Sequence, residues 1–385
     1  MTFGSNLLTL FLVLFFANAQ EYSELGIVLA CKTAPTLFVS LWGGFLADRL
    51  NKKNVASLSI LGLGIINIIT LYVIINYENY SLVYILSILG GILSSFGAPS
   101  LYSLLPFLSP ERYLFSSNAL VRTFRNLGTL SSPGFYALMN NFYNKEYIGY
   151  FSAIATVIAA ITIFSIKIPM HGKTESTPSN DKFSSLVQGV AIVKSQKKLF
   201  ILLGFWAVFL PMQAGLASTI QPVFISDNLH SNTWVTMSFL LSAGYITGSF
   251  IATSFRIEKN LSEISILFIL LSAAQVLVSA LLLPNIILFI FSFLAGIGLE
   301  ISGVCWGTYL QTAVSKDHIG KVSSLDYAVS FGLIPVGYLL AGSSMSAIGT
   351  YESLLYGSLM MIFGGLIMVI ILRFRYMNSG TLARP

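Results

Sequence analysis

Twelve apolar runs follow one another along this chain, each close to the roughly twenty residues that a helix needs to cross the hydrocarbon core of a bilayer. In lipid every backbone N–H and C=O must be satisfied without water, so runs of this length fold as helices. Composition agrees, with 55% of residues hydrophobic and 9% charged, where a soluble domain carries about 25% charged residues. The runs fall at about 2–19, 23–47, 55–76, 81–105, 118–140, 147–168, 199–224, 233–255, 262–283, 285–314, 325–346 and 351–373. The expected fold class is an all-α membrane protein with twelve transmembrane helices.

The net charge of +6 would suit a nucleic-acid partner, but the placement of the basic residues gives another cause. Arg49, Lys52, Lys53, Arg112, Lys167, Lys173, Lys182, Lys194, Lys197, Lys198, Arg256, Lys259, Lys316, Lys321, Arg373, Arg375 and Arg384 fall at alternate connections, and Lys145 lies in the opposite set. That is the positive-inside pattern. It predicts a multi-pass protein of the bacterial inner membrane with both termini cytoplasmic, the lipid bilayer as its surroundings and no nucleic acid bound.

The first run starts almost at Met1 without a basic lead, so the first helix is expected to be truncated at its start. The competing reading is a signal peptide with Leu7–Phe16 as its apolar core and a cleavage site at Ala17-Asn18-Ala19. A shift of 205 residues places Gly43, Phe45 and Ala47 on Gly248, Phe250 and Ala252, and Ser87, Gly91 and Ile92 on Ser292, Gly296 and Ile297. Such a repeat is expected of two six-helix halves related by an axis along the membrane normal. The domains read as an N-terminal six-helix bundle at 1–168, a cytoplasmic linker at 169–198, a C-terminal six-helix bundle at 199–375 and a cytoplasmic tail at 376–385. Within the linker, Phe183, Leu186, Val187, Val190 and Val193 recur at near-helical spacing among lysines, which predicts an amphipathic helix on the inner leaflet.

Between the second and third runs stands Gly43-Gly-Phe-Leu-Ala-Asp-Arg-Leu-Asn-Lys-Lys-Asn-Val55. Asp48 falls at the C-terminal end of its helix, where the helix dipole disfavours a negative charge, so it needs a partner such as Arg112 or another helix's N-terminus. Gly44, Leu46, Ala47, Asp48 and Arg49, with Lys52 and Lys53 in place of arginines, resemble the gating-loop motif of the major facilitator superfamily. Asn51 replaces the usual turn glycine there, and Asn also accepts a positive φ. Pro99-Ser-Leu-Tyr-Ser-Leu-Leu-Pro106 and Gly320-Lys321-Val322-Ser323-Ser324 resemble the enterobactin-exporter and macrolide-efflux-like branch. The resemblance implies the major facilitator fold, two pseudo-symmetric bundles rocking around a midplane cavity. It further implies proton-coupled efflux of a small amphiphilic molecule, a siderophore or drug-like compound. Uptake of a metabolite, and a receptor or scaffold that kept the fold, are the rival readings.

Enzyme signatures are missing. His171-Gly-Lys-Thr174 imitates the end of a phosphate-binding loop, but Lys167 occupies the place of its first glycine. Cys31 and Cys305 lie inside apolar runs, and His171, His230 and His318 are separate. No enzymatic activity, cofactor or metal site is expected, and the chain is expected to act as a monomer. The informative residues are polar groups inside the runs, because a charge near the bilayer centre faces a cavity or a partner. Glu300 and Lys32 are the candidate proton or substrate groups, with the proton as candidate coupling ion, and Gln213 is a candidate substrate ligand. Gly296, Gly303 and Gly307 share the helical face of Glu300, which reads as a face built for close approach.

Overall fold

The computed structural model describes residues 2–19, 21–49, 52–77, 79–108, 114–140, 145–166, 190–254, 259–314 and 319–376. Side chains at 37–49, 101–107, 114–120 and some scattered positions lie outside that description. The chain divides into two compact units, Met1–Asn180 and Asp181–Pro385. Nine helices among the described residues are long and apolar enough to cross a membrane. The shorter α1 and the long α2 and α5 complete the series of twelve.

Unit one contains α1 (Thr2–Ala19), α2 (Tyr22–Arg49), α3 (Lys52–Asn76), α4 (Tyr80–Leu108), α5 (Leu114–Asn140) and α6 (Lys145–Ser165). At 18 residues, α1 is about 27 Å long. Leu7 and Phe16 on it are completely buried, and its small residues seat it tightly. A methyl group at Gly4 would lie 2.5 Å from the Thr156 hydroxyl and 2.6 Å from the Ser152 carbonyl of α6. Ser132 of α5 donates its hydroxyl to the Phe3 carbonyl at 3.0 Å, and Asn6 donates to Thr129 at 3.1 Å. The first apolar run is thus part of the core of unit one. On the outside of α6, Ile154, Ile158 and Ile161 are exposed at spacings of four and three, an apolar stripe suited to lipid.

The connection between α2 and α3 is shorter than the sequence suggests. Helix α2 continues to Arg49 and α3 starts at Lys52, where the apolar pattern ends near 47 and resumes near 55. Hydropathy marks the bilayer edge, but Ala, Arg and Lys are good helix formers and carry the helices beyond it. The side chains of Gly44, Leu46, Ala47, Asp48, Arg49 and Lys52 lie outside the described residues, as does Arg112. Lys53 is described, with its ammonium 5.4 Å from the centre of the Phe164 ring.

Unit two contains α7 (Lys197–Asn228), α8 (Ser231–Ser254), α9 (Leu261–Ala280), α10 (Asn285–Ala313), α11 (Ile319–Ser330), α12 (Ile334–Ile348) and α13 (Thr350–Tyr376). Helix α7 widens into a π turn at Leu216–Ile220. Pro222 follows directly; it has no N–H to give to the carbonyl four residues back, and a wider turn absorbs that loss. The run at 325–346 folds as two helices, α11 and α12, with a break at 331–333. Pro335 stands in the first turn of α12, a position where its missing N–H would be unused in any case.

Residues 169–189, most of the linker, lie outside the described residues. Its end, 190–195, is helical, and Val193 packs with Leu199, Leu203, Leu310 and Val322 into one buried cluster.

The repeat read from the sequence has a structural meaning. A methyl group at Gly91 of α4 would lie 2.5 Å from the Lys32 carbonyl of α2. Its counterpart Gly296 of α10 sits equally hard against the Leu241 carbonyl of α8. In each unit the repeated glycine lets the fourth helix meet the second backbone to backbone.

Candidate functional site

The candidate groups are built into helix seams. Lys32 lies on α2 in a stretch where Gly91 and Pro35 bring α4 close. Its ammonium donates to the Thr9 hydroxyl oxygen of α1 at 2.8 Å. Thr9 spends its own proton on the Ser5 carbonyl at 2.9 Å, so its oxygen is free to accept from lysine. Ser95 of α4 reaches Thr36 of α2 at 3.0 Å, one turn further along. A snorkelling lysine stretches towards a helix end, whereas Lys32 is held sideways against α1.

Glu300 occupies the matching seam of unit two. Ser249 of α8 donates its hydroxyl to Glu300 Oε1 at 2.8 Å. Three glycines make the approach possible: Gly244 and Gly248 on α8, four residues apart, and Gly296 on α10. A methyl group at Gly244 would fall 2.9 Å from the Gly296 Cα, and one at Gly248 would fall 3.0 Å from the Glu300 Cβ. The expected face of close approach is therefore only partly correct. Among the described residues a methyl group at Gly303 or Gly307 would meet no atom within 4 Å; helical periodicity groups residues on a side but does not say what stands opposite.

Gln213 lines a cavity of about 230 Å³ inside unit two. The π turn shapes its wall. By offsetting the angular drift of an ordinary helix, the wide turn keeps Gln213, Ala217 and Gln221 facing the same space. Trp234 and Tyr245 of α8 and Gln275 of α9 close the other sides. Tyr245 links the cavity to the Glu300 seam, because its neighbour Gly244 packs directly on Gly296. Glu300 and Gln213 thus belong to one connected region of unit two, while Lys32 belongs to unit one.

Sequence reasoning misses a further acid. Asp326 of α11 lies inside the run at 325–346 and accepts from the Trp306 indole N–H at 3.1 Å and from the Ser330 hydroxyl at 3.1 Å. Its position near the start of that run is a usable signal. Trp306 is more than packing: besides that bond it stacks on Tyr309 at 5.6 Å and meets Trp206 at 5.5 Å. Lys198 lies 5.5 Å over Tyr309 and pairs with Glu263 of α9 at 3.2 Å. That ion pair is partly exposed and lies in the first turns of α7 and α9. Among the described residues no cluster of His, Cys, Asp or Glu could hold a metal ion.

Comparison with known proteins follows the geometry. The family model described as Major Facilitator Superfamily matches residues 1–337. The chain is 25% identical over 320 residues to Macrolide efflux protein A of Streptococcus pyogenes, covering 80% of this chain and 76% of the relative. It is 25% identical over 308 residues to the protein of the same name from Enterococcus faecalis, covering 76% and 92%. Among solved structures, a POT family transporter in complex with 5-aminolevulinic acid matches with a TM-score of 0.72 at 13% identity, over 96% of this chain and 93% of that one. The nucleoside transporter NupG matches with a TM-score of 0.69 at 13% identity, over 99% of each chain. At those identities the structures establish the fold alone.

Proposed function

We propose, since the chain belongs to the Major Facilitator Superfamily and is therefore a multi-pass membrane transporter, that it exports a small amphiphilic, drug-like molecule in exchange for protons. Export is supported by the relatives, both of which carry efflux in their names. Proton coupling rests on one observation, the Glu300 carboxyl bonded to the neutral Ser249 hydroxyl across the α8–α10 seam. A carboxylate accepts from Ser249, and a protonated carboxyl gains a donor of its own. Proton binding thus changes what Glu300 offers to α8, at a crossing whose three glycines hold two backbones in direct contact. A change at such a seam shifts the balance between two packings of the unit, which is what alternating exposure of a substrate requires.

In this reading the two six-helix halves, 1–168 and 199–375, move as bodies joined by the linker 169–198, with both termini in the cytoplasm of a bacterium and one chain as the working unit. The gating-loop residues Gly44, Leu46, Ala47, Asp48 and Arg49, with Lys52 and Lys53, serve the movement between states. Inside-out vesicles carrying the purified chain, with a lumen more acidic than the bath, test the proposal with erythromycin as the probe. Accumulation that collapses when the pH gradient is dissipated supports it. Accumulation indifferent to the gradient, or none, contradicts it.

A further inference from the structure

Helices α7 and α13 of unit two run antiparallel, with Leu202 and Leu372 in one buried cluster and Leu216 against Gly357. Between these contacts the two helices part around a groove of about 320 Å³. Gly204 and Gly364 line it, and a methyl group at either would meet no atom within 4 Å among the described residues. They differ in this from Gly91, Gly244 and Gly296, which bring two backbones together; here each glycine leaves room that a side chain would fill. No residue of the lining carries a polar side chain, and four of the ten methionines of the chain stand along it, Met212, Met360, Met361 and Met368. Methionine is unbranched and adjusts to what it touches, so this wall suits an occupant without one fixed shape.

Position and charge narrow the occupant. Val208 and Met360 of the lining are 67% and 66% exposed, so the groove is open to the outside, and Phe200, Phe363 and Ile367 of the same two helices are exposed as well. In a membrane protein such a face meets lipid. From Ile201 to Met212 the groove follows α7 for about 16 Å, close to half of the ~30 Å hydrocarbon core and so to the depth of one leaflet. One end of it is basic. Lys197 is exposed four residues before Ile201, on the same side of α7, and α13 reaches Arg373, also exposed, shortly beyond Met368. The opposite ends of the two helices carry Asp227 and Glu352. We infer that this groove holds one acyl chain of an anionic phospholipid, with the headgroup phosphate at the end marked by Lys197 and Arg373. The charges decide which way the lipid lies, and the length of the groove lets the chain run through its own leaflet beside the two helices.

The test is native mass spectrometry of the full chain in a neutral detergent, titrated with phosphatidylglycerol and, separately, with phosphatidylcholine of the same acyl chains. One phosphatidylglycerol should stay bound under conditions that remove phosphatidylcholine. Gly204→Leu and Gly364→Leu fill the groove without meeting a described neighbour and should each weaken phosphatidylglycerol binding at least tenfold. Lys197→Gln and Arg373→Gln should each weaken it about fivefold and leave phosphatidylcholine unaffected. Gly303→Leu on α10, equally free of contact and outside the groove, should bind as the wild type does, and unfolding temperatures in lipid-free detergent check that every variant is folded. Retention of phosphatidylglycerol by both groove variants, or an equal loss in Gly303→Leu, overturns the site. Equal retention of the two lipids overturns the headgroup assignment, and displacement of the bound lipid by erythromycin would give the groove to the cargo instead.

Discussion

Ser249 and Glu300 face each other across a close helix crossing of unit two, hydroxyl to carboxyl at 2.8 Å, with Gly248 one residue from the first and Gly296 one turn from the second. The glycines explain why a serine suffices as partner. At a wider crossing a carboxyl of this length would need a long donor such as Lys or Arg, and its charge would be neutralised permanently. Here it is bonded to a neutral partner.

The crossing predicts a contrast among four glycines of one region. Gly244→Val and Gly296→Val drive a side chain into the opposing backbone, and each should cost about 3 kcal/mol or more, beyond the usual ~1–3 kcal/mol of an overpacked core, because backbone has no alternative rotamer. Gly303→Ala and Gly307→Ala meet no neighbour among the described residues and should be neutral, or stabilising by up to ~1 kcal/mol through helix propensity. Thermal unfolding of the four purified variants checks the order, and equal losses at all four would contradict it.

Lys32 and Thr9 predict an asymmetric pair. Thr9→Val removes the oxygen that holds the ammonium and leaves a partly buried cation unpaired, a loss of about 3 kcal/mol or more. Lys32→Met removes the cation and leaves Thr9 bonded to the Ser5 carbonyl, so it should cost less than about 1.5 kcal/mol. The double variant should resemble Lys32→Met. Chemical denaturation in mixed micelles measures all three, and a larger loss for Lys32→Met than for Thr9→Val would refute the assignment.

Most of the architecture is legible in the sequence, because the bilayer imposes one length and one secondary structure on every span. The repeat at an offset of 205 residues picks out Gly91 and Gly296, and both prove to be crossing points. What stays hidden depends on partners that no single helix reveals. The run at 199–224 continues through Leu216–Ile220 and gives no sign of the π turn, whose cause is a proline two residues beyond it. Gln213 stands out in the sequence as a substrate ligand; that Gln221 shares its cavity becomes visible only once the wide turn aligns them. Asp326 is masked by the long apolar run that it helps to open, although its charge alone marks it.

Asp326 carries a prediction of its own. An amide at this position still accepts from Trp306 and Ser330, whereas an alkyl chain strands both donors. Asp326→Asn should stay folded within about 1 kcal/mol of the wild type, and Asp326→Leu should lose ~2–4 kcal/mol. Indole fluorescence reports the same step, since Trp306 loses its bond only in the second variant. Identical behaviour of the two would show that the bonds to Asp326 contribute nothing.

Glu300→Gln decides the central claim, because glutamine keeps the size of the side chain and an acceptor for Ser249 while removing the exchangeable proton. The measurement is erythromycin accumulation in inside-out vesicles with an acidic lumen, paired with equilibrium binding of the same probe. The account predicts wild-type binding within about threefold and accumulation no higher than in vesicles without a pH gradient. A Glu300→Gln transporter that still concentrates the probe when the gradient is imposed would place proton coupling at another residue.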